Sequence, residues 1–480
     1  MILGESLPFI EDFLESVNEG LNSIDKTLPL SHLQKRFLAF CLMGILVTNS
    51  ICWSKFFRAS LGQYPIKALS WMFRRSKMFW DKFIFVGITL ILEKYGVNSG
   101  VLILDDTDRP RSKNTSRVFK VHKIFDKKTG GYFRGQCIVF LVLVTNKITI
   151  PVGFRFYHPD PVLSQREKDD EKLKKAGIPK KERPPCPERN PQYPSKAQLA
   201  QDLVKKFNGC FPKFDVKSVI ADAFYCSGEF IGGVQKTYPK TQIISQLKKN
   251  QLIHHQGKII SVEEYFRRHP GVEQTISIRG QAPVKVCMCG ARLKVDSHSK
   301  KRFVVALKYE GEDEYRYIVA SDLCWRMNDI VQTYTLRWLV EVFIEDWKNY
   351  EGWRELKLQY VEGSERAVIL SLLLDYSLLL HQFQQGLIEN NLPACTVGSL
   401  IRRCKVDAFV QFILNILEME EPEKFLKNIE SGVKEIYQLQ PSEKHMNSRD
   451  LGRMEPTPHL KYKAKVRKTE LETEEIPLAA

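Results

Sequence analysis

No apolar stretch in the sequence is long enough to cross a bilayer. The longest runs, Phe40–Val47 and Ala367–Leu380, fall short of the ~18–20 residues a spanning helix needs. Asp375 also interrupts the second, so both read as buried helices. The beginning lacks the basic-then-apolar pattern of a secretory leader and offers Glu5, Glu11 and Asp12 instead. The eleven cysteines show no framework spacing. Cys287-Met-Cys289 has no matching second pair and His254-His255 lies far from it, which argues against a disulfide scaffold and a zinc ribbon. Reduced thiols in a cytoplasmic protein fit better. No internal repeat is visible. Acidic residues are also short, 56 against 72 lysines and arginines, for a net charge of +16. That excess favours a polyanionic partner, nucleic acid ahead of a membrane surface. With 43% hydrophobic residues over 480 positions, the chain has enough apolar material for several packed domains.

Residues 1–95 carry helical periodicity, with Phe9, Phe13 and Val17 spaced four apart. Lys35, Arg36, Lys55, Arg58, Lys67, Arg74, Arg75 and Lys77 lie among aromatics there, as on a DNA-binding surface or on an ordinary solvated helical face. Val101–Leu104 reads as a central strand running into Asp105-Asp106-Thr107-Asp108, with a basic loop after it from Arg109 to Arg117. Cys137–Val144 and Ile148–Phe156 read as a hairpin about Thr145-Asn146-Lys147. Residues 159–194 are rich in Lys, Glu, Asp and Pro and read as a solvated insertion. Ser195 with Gln198 three residues on is a capping box opening a helix. Val216–Ile220 is a second apolar strand, delivering Asp222 at its end. Residues 240–322 alternate polar with β-branched and aromatic residues, the pattern of a block of strands with turns at Gly271, Gly280 and Gly290.

The stretch Tyr334–Lys348 reads as one helix. On ideal geometry Tyr334, Arg337, Glu341 and Lys348 share a stripe roughly 60° wide. Leu336, Leu339, Val340, Phe343 and Trp347 take the opposite half and can pack into a core. A carboxylate set between an arginine, a lysine and a phenol suits a metal ion beside phosphates. A surface helix with ion pairs has the same pattern.

The spacing Tyr-(2)-Arg-(3)-Glu-(6)-Lys resembles the YREK signature of bacterial insertion-sequence transposases, the cut-and-paste DDE type. The resemblance covers about residues 100–350. It implies an α/β fold: an RNase-H-like catalytic core with a β-rich insertion between the second Asp and the Glu, flanked by helical N- and C-terminal regions. It implies Asp105, in an Asp-x-Thr context with Thr107, Asp222, in Asp-Ala-Phe-Tyr, and Glu341 as the catalytic and metal-binding carboxylates. Adjacent strand residues face opposite sides, so only one of Asp105 and Asp106 can point into the site, and the motif favours Asp105. Hard oxygen ligands select two Mg²⁺ ions, with Mn²⁺ able to substitute. Two ions about 3.5–4 Å apart activate the attacking oxygen and neutralise the leaving one. Tyr334, Arg337 and Lys348 correspond to phosphate-holding, DNA-binding residues. Trp338 either stacks on a displaced base or packs at the helix border.

The implied function is a DNA transposase that binds terminal inverted repeats, cleaves the element ends and joins their 3′ ends to target DNA. The alternatives are an RNase-H-like nuclease without strand transfer and a non-catalytic DNA-binding protein of transposase descent. Its partners are double-stranded DNA with terminal inverted repeats, target DNA and a second copy in a homodimer, with no membrane. The location is cytoplasmic, at the bacterial nucleoid. The expected divisions begin with a DNA-binding helical domain at 1–95. The first part of the core follows at 96–239 and the β-rich insertion at 240–322. The core helix with the signature takes 323–360. A helical C-terminal region suited to dimerisation takes 361–439, and a charged mobile tail takes 440–480.

Overall fold

The computed structural model describes residues 6–111, 118–126, 129–278, 282–356, 358 and 360–436. Most of the expected basic loop, the Gly280 turn and the charged segment 440–480 lie outside these residues. The chain opens with α1 (Pro8–Ile24), α2 (His32–Thr48), α3 (Trp53–Ala59), α4 (Ile66–Arg75) and α5 (Trp80–Lys94). A capping box between Ser31 and Gln34 starts α2, whose whole middle is buried.

The strands β1 (Ser99–Pro110), β2 (His122–Asp126), β3 (Gly131–Val144) and β4 (Thr149–Tyr157) come next. Then follow α6 (Pro161–Lys175), α7 (Lys196–Cys210), β5 (Asp215–Ala221), α8 (Gly228–Thr237) and β6 (Gln242–Leu247). The expected hairpin is present as β3 and β4, and the capping box of Ser195 and Gln198 opens α7. The block after β6 holds β7 (Leu252–His255), β8 (Lys258–Ser261), α9 (Val262–Arg268), β9 (Val272–Ile276), β10 (Val284–Val295), β11 (Lys300–Tyr309) and β12 (Arg316–Ala320). Helices close the chain: α10 (Met327–Thr335), α11 (Trp338–Tyr350), α12 (Val361–Leu379), α13 (Gln382–Glu389), α14 (Val397–Leu417) and α15 (Pro422–Ile436).

The fold is mixed α/β. Among the described residues, twelve strands form one continuous sheet in the order β2-β3-β1-β5-β6-β12-β11-β10-β7-β8, with β4 on β3 and β9 on β10. β1 is antiparallel to β3, whereas β1, β5 and β6 run parallel. β12 is antiparallel to β6, so the strand block of 240–322 extends the same sheet. Helices cover the β1–β5 region, as the unbroken apolar run Leu102–Leu104 requires of strands buried on both faces. Among the described residues no single helix is long and apolar enough to cross a membrane. The pairs α2 with α3 and α12 with α13 reach that length only across sharp bends.

Three local features depart from the sequence expectations. First, β1 does not stop at Leu104 but runs on to Pro110, so Asp105 and Asp106 lie within a strand. β3 is long enough to pair with it throughout, down to Pro110 opposite Gly135. Second, the polar insertion contains the helix α6, although it buries no residue. Asp160 caps it by accepting from the Val162 and Leu163 N–H groups and also holds the Asn190 N–H, pinning both ends of the excursion. Ion pairs from Arg166 to Asp170 and Lys175 to Glu171 support it locally.

Third, the expected single helix 334–348 is two. The Thr335 hydroxyl takes the Gln332 carbonyl at 2.6 Å, the acceptor that the Leu336 N–H would use in an α-helix. The Leu336 and Arg337 N–H groups bond instead to Thr333 and Tyr334, a tight turn between α10 and α11.

Candidate active site

Asp105 lies opposite Phe140 in the β1–β3 ladder. The Phe140 ring meets Phe343 edge-on at 5.4 Å and Trp347 at 4.8 Å, and Trp347 stacks on Trp353 at 4.9 Å. This aromatic cluster is the apolar half expected of the signature helix, with Val340, Phe343 and Trp347 all buried. It fixes α11 across β1, so the helix's polar side opens onto Asp105. After α11 the chain turns at Gly352, whose φ of +86° suits glycine and where a Cβ would come within 2.8 Å of Ile51.

The result is a cleft of about 630 Å³ lined by Asp105, Asp106, Asp222, Gln246, Arg337, Glu341, Ile344, Glu345, Lys348 and Asn349. All three sequence-predicted carboxylates, with Arg337 and Lys348, therefore face one space. The Arg337 guanidinium stands between two of them, 3.4 Å from Asp105 Oδ2 and 2.5 Å from Glu341 Oε1. Asp222 follows β5 and accepts the Phe224 N–H, while Ser245 on β6 donates to the Asp222 carbonyl at 2.8 Å. Lys348 donates to the Asp108 carbonyl at 3.1 Å. Tyr334 reaches the rim, its hydroxyl donating to Gln246 Oε1 at 3.1 Å, and burial pushes that phenol up to about 12.

Trp338 is 60% exposed, so the packing alternative for it fails: the turn before α11 points it into solvent. Gln246, Glu345 and Asn349 were not anticipated. Glu345 and Asn349 follow Glu341 by one and two helical turns and were legible from that spacing. Gln246 had no signal, because only the β5–β6 pairing carries it to the cleft.

Asp105 and Asp106 make different contacts. Asp106 pairs with Lys196 at 2.5 Å and accepts from the Tyr225 hydroxyl at 3.1 Å and from the Cys137 thiol. Lys196 is the first residue of α7 and also lies over the Tyr157 and Phe224 rings. Burial opposes its charge, but the Cys137 thiol and Asp106 outweigh that and hold the ammonium firmly protonated. Among the described residues, Asp106, Asp108 and Cys137 are the carboxylate and thiol groups with atoms all within 4.8 Å of one another. The Lys196 ammonium already neutralises that group.

Burial pushes the Asp105 carboxyl up to about 7; the Asp106 N–H and Arg337 oppose this, while Asp106 and Asp222 add to it. A hard divalent cation fits this donor set, because it would relieve the crowding of negative charge that the single guanidinium leaves unbalanced.

Residues 77–271 match the family described as DDE superfamily endonuclease. The match supports a DDE transposase-like family. The matched span contains Asp105 and Asp222 and ends before Glu341. The large mixed sheet with its many helices is consistent with a DDE nuclease fold. Enzymes of this superfamily typically use divalent metals, and a DNA substrate and a nuclease or transposase type of activity follow from the match. No curated protein matches the chain.

Proposed function

We propose that the chain is a DNA transposase that cuts element ends at terminal inverted repeats and joins the 3′ ends to target DNA. The observation carrying this reading is the single cleft shared by Asp105, Asp222, Glu341, Arg337 and Lys348. An RNase-H-like core is supported by the strand order β4-β3-β1-β5-β6, antiparallel in its first half and parallel in its second.

In this reading Asp105, Asp222 and Glu341 hold Mg²⁺, two ions in all, with Mn²⁺ able to substitute. When bound, the ions would acidify the attacking water or 3′-hydroxyl and neutralise the leaving oxygen. The chain's own residues bind and orient. Arg337 leaves its carboxylates and presents a planar fork to a phosphate, and Lys348 adds a point charge to the same strand. Tyr334 donates to a phosphate oxygen once it releases Gln246. Trp338 stacks on a base extruded beside the cut. The partners are inverted-repeat and target DNA, with a second copy present because both ends are processed in one assembly. The bacterial nucleoid follows as the location.

The test is a strand-transfer assay on a labelled inverted-repeat duplex with Mg²⁺. Joined products are expected. Cutting without joining would favour the nuclease alternative, and neither would leave a DNA-binding protein. Binding should weaken steeply with salt through counterion release. Arg337→Ala should weaken the complex with cleaved ends more than binding to flanking duplex. Equal losses would mean a general electrostatic role.

A further inference from the structure

The sequence makes α14 apolar on two opposite sides, and the fold covers only one. Inward, Leu400, Ile401, Cys404, Ala408 and Ile416 are buried. Outward, Val406, Phe409, Val410, Ile413, Leu414 and Leu417 are between 40% and 68% exposed. Their spacing sets them in a stripe roughly 140° wide over three turns, the width of a helix face that packs against another element. A contiguous apolar face of this kind marks an interaction site.

The charges at its two ends say what covers it. Arg402 and Arg403 precede the stripe on the same side, and Glu418, Glu420 and Glu421 follow it, all exposed. The apolar stripe is centred between Gln411 and Phe412, and so is the span from Arg402 to Glu421. A helix laid antiparallel across that centre would set Phe409 against Ile413 and the arginines against the glutamates. The helix with that pattern is α14 itself. Residues 437–480 offer no comparable apolar repeat, their scattered apolar residues being set among Lys461, Lys463, Lys465 and the closing glutamates.

We infer that α14 is a self-association surface, pairing with α14 of a second copy antiparallel about a two-fold axis between Gln411 and Phe412. The inference deepens the dimeric part of the proposed function, yet it is independent of the nuclease chemistry. Its test uses neither DNA nor metal, so its failure would leave the reading of the cleft standing.

The experiment is sedimentation of the full chain over a concentration series. A monomer–dimer equilibrium is expected. Phe409→Lys or Ile413→Lys should raise the dissociation constant at least about tenfold, as loss of an interface anchor does, with an unchanged circular dichroism spectrum. Arg402→Glu and Glu420→Arg should each weaken the dimer, and the two together should restore it, because each charge then again meets its opposite. A monomer at every concentration overturns the inference, as does a dimer indifferent to Ile413→Lys. A double charge swap no better than its parts excludes the antiparallel pairing. A monomer whose Phe409 is nonetheless shielded from radical oxidation would assign the stripe to residues 437–480 and overturn the pairing of copies.

Discussion

Helix α11 and the turn after it set two carboxyl groups in opposite circumstances. Glu341, near its start, is 38% exposed and paired with Arg337 over an open cleft. Glu351, just past its end, is fully buried and faces Asp375 of α12. No cation sits in that contact: burial first, and then Asp375, drives the Glu351 carboxyl far above its usual range. Burial likewise pushes Asp375 up to about 7. The two share a proton, which satisfies oxygens that otherwise have no partner. The difference teaches that a carboxylate's task is set by what surrounds it. One site keeps charge in reserve for a cation and phosphates, while the other discards charge to become part of the core.

The sharpest way to break the comparison is at the open end. Glu341→Gln keeps shape and removes charge, so end cleavage should fall at least about 10³-fold while gel-shift binding persists. Asp105→Asn and Asp222→Asn should behave alike, and pairs should add little, as for groups acting as one unit. Near-normal cleavage by Glu341→Gln would sink the three-carboxylate mechanism.

Next in size is the support behind the cleft. Lys196→Met leaves Asp106 largely buried with no cation, which should destabilise the fold by about 3 kcal/mol in urea unfolding. A loss near zero would mean that Asp106 simply takes up a proton beside Tyr225.

The closed end should respond to pH instead. The Glu351–Asp375 carboxyls have raised folded pKa values, so the folded state binds more protons than the unfolded chain. Their stabilisation is full below the unfolded carboxyl value, near 4, and is lost as pH rises through about 7. Glu351→Gln should remove this slope and raise the melting temperature by roughly a few degrees at mildly alkaline pH. An unchanged slope in the variant would show that the pair is not the titrating element.

The smallest effect on stability belongs to Trp338→Ala, expected within about 0.5 kcal/mol because the ring is exposed. Affinity for cleaved ends should still drop by about 1–3 kcal/mol if the ring stacks on a base. Equal affinity of variant and parent would remove Trp338 from the proposed DNA contacts.

Much of this was legible before any coordinates. Strands β1 and β5 announced themselves as apolar runs ending in aspartate, and the capping box at Ser195 located the start of α7. The apolar half of the signature helix could be read from spacing alone, since Val340, Phe343 and Trp347 recur at helical intervals. These features are local, and local periodicity and capping chemistry are written residue by residue. The break at Leu336 was harder, because one hydroxyl of Thr335 competing for one carbonyl decided it. Helix α6 was missed because ion pairs and a single cap, rather than an apolar face, carry it.

Other matters were decided only when distant segments met. The contacts of Asp105 and Asp106 depended on Lys196, ninety residues away, pairing with the second of them. Gln246 reached the cleft through the pairing of β6 with β5. Glu351 and Asp375 looked like ordinary surface acids until α12 buried both. The sequence by itself determined which elements form and which chemical groups each one carries, because those follow from neighbours along the chain. Tertiary structure alone decided which of those groups stay charged, because that depends on water excluded and partners supplied from elsewhere in the fold.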